Sequence, residues 1–339
     1  MNIIYSHQHT LHQTAGLVVN GQPFVVEEIP QRLKTILSAV LSAGLGAVIE
    51  PVDYGLAPIL AVHDPGYIAF LQDCYPLGQA FYKDDRPLLP ETYSTRRPQR
   101  KTSHPIGRLG YYSFSTGTPI LAGTWQAAYW SAQCALTAAQ IASHNQGTAY
   151  ALCRPPGHHA GKDYYGGFCY LNNAAIAARS LLGRVAILDI DYHHGNGTQE
   201  IFYDDPNVLY CSIHADPDQE YPYFWGGAEE RGTGDGIGSN FNLPLAVGAG
   251  DDEYMQALEA CLEVIVRHNP DYLVLSLGFD ILLDDPAGGF KISSDGLHSI
   301  AERISRLTHA GLPTLIIQEG GYLIETLGTS AAGFLQFYQ

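Results

Sequence analysis

Short apolar runs alternate with longer helical patterns along most of the chain. Seven runs are continuously apolar rather than alternating with polar residues, which indicates parallel strands buried on both faces. The predicted strands are Asn2–Tyr5, Ala47–Glu50, Ala149–Cys153, Val185–Ile190, Val208–Ile213, Tyr272–Leu277 and Pro313–Gln318.

Helical periodicity between these runs predicts five helices, with Asp252 and Asp295 as the N-caps of the last two. They are Gln31–Ser42, Gly123–Ser143, Asn173–Leu182, Asp252–His268 and Asp295–Thr308. The alternation predicts an α/β fold in which a mostly parallel, multi-stranded sheet is sandwiched between helices. A length of 339 residues is compatible with a single domain over residues 1–339.

One segment, residues 75–118, shows neither periodicity and is rich in Pro, Gly, Tyr and Arg. It carries seven of the 18 basic residues: Lys83, Arg86, Arg96, Arg97, Arg100, Lys101 and Arg108. A loop of this length within a compact domain is usually functional or disordered. We interpret it as a long inserted loop.

The composition excludes several classes of function. Apolar residues make up 46% of the chain, and the net charge of −16 is unsuited to neutralising phosphates, so a nucleic-acid partner is not expected. No apolar run approaches the roughly 20 residues that span a bilayer, and the N-terminus does not resemble a signal peptide. The six scattered cysteines suggest buried free thiols. We therefore expect a cytoplasmic protein without a membrane partner.

Polar and titratable residues follow four of the predicted strands. In open parallel sheets, ligands bind beyond the carboxyl ends of the strands, so these residues are expected at one edge. They are His158 and His159 after the third strand, Asp189, Asp191, His193 and His194 at the fourth, Asp280 after the sixth, and Glu319 and Tyr322 after the seventh. A single Asp there is usually a cap, and a single His pair is more often structural. The joint occurrence favours a functional site.

Two carboxylates and one imidazole make a three-ligand site with an open position, as in catalytic metal centres. Asp191 and His193, two positions apart at a strand end, are expected to point to the same side. Such an ion activates water and polarises a carbonyl. The tandem histidines could transfer protons, and Tyr322 could donate a hydrogen bond to the developing oxyanion. These roles predict hydrolysis of an amide or ester by metal-activated water.

Five motifs carry a specific resemblance: RPPGHHA (154–160), GGFCYLNN (166–173), LDIDYHHGNGTQ (188–199), SLGFD (276–280) and EGGY (319–322). In this order they resemble the histone deacetylase family, and the chain is most similar to its bacterial acetylpolyamine amidohydrolase branch. The resemblance implies the arginase–deacetylase fold and a zinc-dependent deacetylase. It also implies a small acetylated amine as substrate and potassium ions of structural importance.

The resemblance also implies roles for individual residues. Zinc would be held by Asp191, His193 and Asp280, and the catalytic residues would be His158, His159, Asp189, Asn196 and Tyr322. Among them His159 would be the main general base, while Asp189 and Asn196 would orient the two histidines. Phe168 and Tyr221 would wall the substrate channel, Gly167 would contact substrate through its backbone, and Arg32 would line an internal cavity behind the metal.

Two potassium sites and a dimer follow from the same resemblance. The inner site would use Asp189, Asp191, His193, Ser212 and Ile213, and the outer site Phe202, Asp205 and Val208. From the sequence alone, Ser212 would be a buried strand hydroxyl. The 75–118 loop would reach across a homodimer and narrow the partner's active site; its aromatic residues argue against simple disorder.

The chain departs from the acetylpolyamine branch at two positions. Leu17 and Ile106 stand where two of the branch's channel-mouth glutamates would be, which leaves the overall acidity, but not those specific carboxylates, to recognise a polyamine. His7, His9 and His12 form a local cluster that we expect to be exposed and unremarkable, although a second metal site would be possible there.

Several alternatives stay open at this stage. An acetyl-lysine protein deacetylase is disfavoured by the narrowing loop, and a catalytically silent binder of acetylated ligands by the complete set of catalytic residues. An arginase-like two-metal hydrolase would need further carboxylates beside Asp191. Two oxygen ligands and one nitrogen ligand suit Zn²⁺ or Fe²⁺ equally.

Overall fold

The structure is a computed structural model. It describes residues 1–13, 17–19, 22–24, 27–94, 101–144 and 147–339, with the backbone alone at 17–19 and 22–24. The strands are β1 (Asn2–Ile4), β2 (Leu17–Val19), β3 (Gln22–Phe24), β4 (Ala47–Ile49), β5 (Ala149–Ala151), β6 (Val185–Asp189), β7 (Val208–Ala215), β8 (Asn240–Leu245), β9 (Tyr272–Leu277) and β10 (Thr314–Gln318).

The helices match the predicted ones and add five more. They are α1 (Gln31–Ser42), α2 (Ala57–Leu60), α3 (Pro65–Tyr82), α4 (Pro105–Tyr112), α5 (Thr124–Ser143), α6 (Asn173–Ser180), α7 (Asn196–Phe202), α8 (Asp251–His268), α9 (Ser294–His309) and α10 (Ile324–Leu335). Within the described residues, no helix is long and apolar enough to cross a membrane.

The predicted parallel sheet is confirmed. Eight of the described strands form one sheet in the order β4-β1-β5-β10-β9-β6-β7-β8, and every pairing in it is parallel. All seven predicted strands belong to it, whereas β8 and the small β2–β3 hairpin were not predicted.

The two faces of the sheet bury separate apolar clusters. On β6, for example, Val185 and Ile187 join one cluster, while Ala186 and Leu188 join the other. The first cluster is covered by α3, α5 and α6, and the second by α1, α8, α9 and α10. Because successive side chains of a strand point to opposite faces, strands covered on both sides must be apolar throughout.

The predicted loop over residues 75–118 is wrong at both ends. Helix α3 continues to Tyr82 with Pro76 inside it, and α4 occupies Pro105–Tyr112. The part of the predicted basic run at Arg96, Arg97 and Arg100 lies outside the described residues.

The predicted N-caps Asp252 and Asp295 are also wrong. Both lie in the first turn of their helices, whose N-caps are Gly250 and Ser293. A carboxylate in the first turn still interacts favourably with the helix dipole. The two aspartates therefore marked the starts of the helices correctly, although they are not the N-caps.

Candidate metal-dependent active site

Four neighbouring strands deliver the candidate residues to one edge of the sheet. Strands β5, β10, β9 and β6 lie side by side, and the tandem histidines, Tyr322, Asp280 and the Asp191–His193 pair follow them in that order. The sheet order therefore brings together residues that are far apart in the sequence.

The candidate metal ligands Asp191, His193 and Asp280 form a compact, largely buried cluster. One ligand atom from each lies within 4.8 Å of the others. His193 Nδ1 is 3.3 Å from Asp191 Oδ1 and 3.3 Å from Asp280 Oδ2. The prediction placed Asp191 and His193 on the end of a strand. Strand β6 ends at Asp189, so the two side chains converge in the bend that follows it.

Backbone donors orient both carboxylates and leave one oxygen without a hydrogen bond. Gly320 N donates to Asp191 Oδ2 at 2.8 Å, and Tyr192 N donates to Asp280 Oδ1 at 3.1 Å. Asp280 Oδ2 is buried and has no hydrogen-bond donor among the described residues. A Cβ at Gly320 would come within 2.2 Å of that oxygen, so only glycine leaves the space in front of it open.

The cluster is electrostatically unbalanced without a cation. Burial, and then repulsion from Asp191, raise the pKa of Asp280 to about 7. Burial alone would lower the pKa of His193, but the two carboxylates outweigh it and raise that pKa to about 10. A cation bound among these three groups would relieve the repulsion between the carboxylates.

The tandem histidines have different partners and opposite pKa shifts. His158 Nδ1 lies 3.1 Å from Asp189 Oδ2, and His159 Nδ1 lies 2.7 Å from Asn196 Oδ1. Burial lowers the pKa of His158, but Asp191 and Asp189 outweigh it and raise the value to about 10. Burial and the neighbouring imidazoles of His158 and His193 hold the pKa of His159 well below its usual range.

These shifts distinguish the two histidines chemically. His159 stays neutral, and because its Nδ1–H donates to the Asn196 amide oxygen, Nε2 is left free to accept a proton. His158 favours the protonated form beside two carboxylates. Of the pair, His159 is therefore suited to be the general base.

Glu319 binds the backbone of the loop that carries the tandem histidines, a role that was not predicted from the sequence. Its Oε2 accepts hydrogen bonds from Gly157 N at 2.6 Å and His158 N at 3.3 Å. Burial raises the pKa of this carboxyl to about 7. The sequence signals were its position directly after a buried strand and its place at the start of the EGGY motif, and neither indicated this role.

Tyr322 lines the same cavity as the tandem histidines and follows the glycine pair 320–321. Gly321 has a φ of +108°, and Tyr322 N donates to Asp285 Oδ2 at 2.7 Å, which fixes the turn. Burial raises the pKa of the phenol well above its usual value, so the hydroxyl remains a donor.

Arg32 lies behind Tyr322 and is fully buried. Its guanidinium donates to the carbonyls of Gly321 and Glu319, and its Cζ is 4.5 Å from the centroid of the Tyr322 ring. Arg32 does not line the described channel that contains Tyr322. Its place in an internal cavity behind the metal stays a prediction.

A cavity of about 660 Å³ leads from the surface to His158, His159, His193 and Tyr322, which line it. Phe168 and Tyr221 line it, as does Gly167, in agreement with their predicted positions. Gly167 and Phe168 have φ values of 55° and 65°. Since a bulky residue rarely adopts this conformation, the backbone bears strain of about 1–3 kcal/mol to hold the Phe168 ring in the wall.

The 75–118 segment narrows the cavity of its own chain. Tyr93 and Ser94 line it, and Ser94 N donates to Gly110 O at 2.8 Å. The narrowing at these two residues needs no partner subunit.

The cavity contains a carboxylate at a position other than 17 and 106. Glu27, which the sequence analysis did not single out, lines the cavity. Ile106 is buried in the core at 6% exposure and does not line its own chain's cavity, and the side chain of Leu17 lies outside the described residues.

The residues of the predicted inner potassium site are adjacent. Asp189 and Ser212 are register partners on β6 and β7, and Ser212 and Ile213 are fully buried. Ser212 Oγ is 2.8 Å from His214 Nδ1. At the predicted outer site, Asp205 N donates to the carbonyl of Phe202, and Val208 begins β7.

Of the three N-terminal histidines, His7 is exposed as predicted, whereas the other two are not. His9 and His12 are buried, with His9 Nε2 3.0 Å from the Tyr5 hydroxyl and His12 Nδ1 3.0 Å from Thr124 Oγ1. Burial lowers the pKa of His12 to about 4, so these side chains are neutral packing groups.

Comparison with known proteins identifies relatives over the whole chain. The family model of the histone deacetylase domain matches residues 26–337. The chain is 48% identical to acetylpolyamine amidohydrolase 1 of Pseudomonas aeruginosa, covering 99% of this chain and 98% of the relative. It is 42% identical to the acetylpolyamine amidohydrolase of Burkholderia pseudomallei, covering 98% and 97%.

Solved structures agree with this result. A crystal structure of the acetylpolyamine aminohydrolase from Burkholderia pseudomallei superposes with a TM-score of 0.94 at 40% identity, covering 100% of this chain and 98% of that chain. The HDA15 HD domain gives a TM-score of 0.81 at 28% identity, covering 99% and 86%.

Proposed function

Because the chain belongs to the histone deacetylase family, we propose that it hydrolyses the acetyl amide of small acetylated amines, acetylpolyamines among them. One observation carries the proposal: a single cavity joins the metal-ligand cluster, the tandem histidines and Tyr322 to an aromatic channel. A slender acetylated chain fits such a channel. The names of the relatives above support the same substrate class.

The residues present fit a divalent metal ion. The buried Asp280 Oδ2 without a donor, and the repulsion between Asp191 and Asp280, both call for a cation at this position. Asp191, His193 and Asp280 would hold it, with Zn²⁺ as the expected ion and Fe²⁺ as the alternative. When bound, the ion supplies Lewis acidity towards the acetyl carbonyl and lowers the pKa of water.

Proton transfer is assigned to the histidines. His159 Nε2 accepts a proton from the attacking water, and Asn196 holds the ring in the tautomer that permits this. Protonated His158 balances the charge of Asp189 and Asp191. The proton is finally delivered to the leaving amine as the C–N bond breaks, so that acetate and a free amine are the products.

Tyr322 is assigned to the oxyanion. It lines the same cavity as His159, and its raised pKa keeps the hydroxyl protonated as a hydrogen-bond donor. Arg32 holds the Gly321 carbonyl and so the turn that presents Tyr322. We assign Arg32 as a positioning residue.

Potassium, a homodimer and a cytoplasmic location belong to the same proposal. The adjacency of Asp189 and Ser212 supports the inner potassium site. Leu77 and Phe81, four residues apart on α3, are 42% and 50% exposed at the base of the 75–118 segment, which suits an interface between subunits.

The rival function is deacetylation of acetyl-lysine in proteins. Tyr93 and Ser94 of the 75–118 segment line the cavity and narrow it, which disfavours access by a folded protein. A silent binder of acetylated ligands would not need the complete set of metal ligands, histidines and Tyr322.

Turnover of a substrate panel tests the proposal. The zinc-loaded protein would be assayed for amine release from acetylputrescine, acetylspermidine, neutral N-alkylacetamides and an acetyl-lysine peptide, with His159→Ala as the inactive control. We expect the small acetylated amines to be hydrolysed with higher kcat/KM than the peptide. Absence of turnover of every small amine by the fully metal-loaded protein would overturn the proposed function.

A further inference from the structure

The carboxylate of Glu27 occupies a distinctive place in the cavity wall. Among the residues described as lining the cavity, it is the only carboxylate, and no Lys or Arg lines it. Its neighbour Glu28 turns the other way and is bound to Arg32 and Arg154. Two adjacent acidic residues thus have opposite environments.

Glu27 has no structural partner to explain its position. The described residues offer its side chain no hydrogen bond and no ion pair, although it is half-buried. The charged group that affects the pKa of Glu27 is Asp285, which raises it by repulsion. Asp285 is itself occupied by the backbone N–H groups of Ala287, Tyr322 and Leu323.

The half-buried carboxylate is therefore left facing the cavity beside a like charge. Burial, followed by repulsion from Asp285, raises the pKa of Glu27. An unpaired carboxylate in such surroundings gains more from a bound cation than an exposed one does, because water screens the interaction less.

The rest of the wall suits an organic cation. Besides Tyr322, seven aromatic side chains of Phe, Tyr and Trp line the described cavity: Tyr93, Phe114, Phe168, Tyr221, Tyr223, Phe224 and Trp225. Aromatic faces attract ammonium groups, and the same rings pack against methylene chains. One carboxylate among aromatic rings therefore selects an alkyl ammonium over an anion or a strongly polar neutral group.

We propose that Glu27 is the specificity-determining residue that binds a second, unacetylated ammonium group of the substrate. The inference rests on the proposed function, because it assumes that an acetyl amide is bound at the metal end of the same cavity. Within the proposed substrate class, Glu27 would favour amines with one acetylated and one cationic end over neutral acetylated amines.

Matched substrates separate this role from a structural one. N-Acetyl diamines with four to six methylene groups would be compared with N-alkylacetamides of equal length, which lack the ammonium group. Wild type, Glu27→Gln and Glu229→Gln would be assayed with both sets. Glu229 is exposed, does not line the cavity, and controls for the loss of one negative charge.

We expect Glu27→Gln to lower kcat/KM for the best diamine by about 10- to 100-fold, mostly through KM, which corresponds to roughly 1.4–2.7 kcal/mol. Turnover of the neutral amides should stay within about twofold, and Glu229→Gln should change neither set by more than about twofold. Glu27→Lys should reverse the preference, so that an N-acetyl amino acid with a terminal carboxylate becomes the better substrate.

The possible failures are distinguishable. An equal loss for charged and neutral substrates would make Glu27 a structural residue, and unchanged diamine kinetics would remove it from recognition; either result overturns the inference. If the wild type hydrolyses neither set, the proposed function fails first and the inference falls with it.

Discussion

Neutralising Glu28 should destabilise the protein more than any surface charge change of the same kind. Its Oε1 lies 3.0 Å from Arg32 Nη1 and 2.7 Å from Arg154 Nε. The side chains of all three residues are at most 1% exposed. The change Glu28→Gln keeps the shape but leaves two buried guanidinium groups without their shared carboxylate.

The expected magnitude follows from burial. Breaking a buried ion pair by removing one partner typically costs about 3–5 kcal/mol, because the remaining charge stays uncompensated. Arg32 and Arg154 retain hydrogen bonds to backbone carbonyls, among them Gly321 O and His9 O, which argue for the lower end. We expect a loss of about 3 kcal/mol, a large part of the roughly 5–15 kcal/mol that stabilises a typical domain.

The chain offers a matched control in Glu302. Like Glu28, it pairs with an arginine four residues later, but both Glu302 and Arg306 are 56% exposed. Glu302→Gln should cost less than about 1 kcal/mol. Urea unfolding followed by circular dichroism measures both losses, provided that unfolding is reversible. Equal losses in the two variants would refute the reasoning, since burial is what separates them.

The cost of Glu28→Gln should also depend on pH. Burial alone would raise the pKa of Glu28, but Arg154 and Arg32 outweigh it, and the pKa is lowered. A lowered native pKa stabilises the fold above the unfolded pKa, about 4.3 for Glu, and this stability is lost as the pH falls through the native value. The difference between wild type and variant should be constant from pH 7 to 5 and shrink below about pH 4.

Three further predictions concern the site and the assembly. Asp191→Ala or Asp280→Ala should abolish metal binding in a folded protein; full metal content by elemental analysis would mean that the ligands are misassigned. Tyr322→Phe should retain metal but lose about 10²–10³-fold in kcat, whereas a normal kcat with a raised KM would make it a binding residue. Shortening the segment between Leu88 and Pro105 should convert a dimer into a monomer by sedimentation velocity and raise kcat/KM for acetyl-lysine peptides; an unchanged sedimentation coefficient would exclude the segment from the interface.

The sheet was predictable because its strands are buried on both faces. Tyr272–Leu277 and the other apolar runs needed only local composition to be found. Strand β8 was missed because it is an edge strand with partly exposed residues and contains Pro244, so it does not form a continuous apolar run. Helix α3 was missed because Pro76, which cannot donate a backbone hydrogen bond, lies inside it and is usually read as a helix end.

The candidate metal ligands were predictable for a similar reason. Asp191, His193 and Asp280 each follow a strand, and the ends of neighbouring parallel strands meet at one edge whatever the intervening sequence. The tandem histidines and Tyr322 follow the same rule. At these positions, the parallel topology alone predicts which residues come together, and no long-range contact has to be known.

Glu27 and Glu28 precede helix α1 and do not follow that rule. Glu28 and Arg32 stand at the helical i, i+4 spacing, which is a usable signal for an ion pair, but Arg154 joins them only through tertiary packing. The sequence offers two adjacent glutamates before α1 and no means of telling which one is buried and paired.

This difference between the two glutamates connects stability with specificity. The Ile29–Pro30 step leads directly into α1, where Arg32 anchors the Tyr322 turn through the Gly321 carbonyl. With Glu28 fixed between two arginines, the preceding residue is held at the cavity wall. The charge cluster that stabilises the site therefore also positions Glu27. It follows that Glu28→Gln, in any preparation that remains folded, should weaken discrimination between diamines and neutral amides as well as lower stability, whereas Glu302→Gln should affect neither.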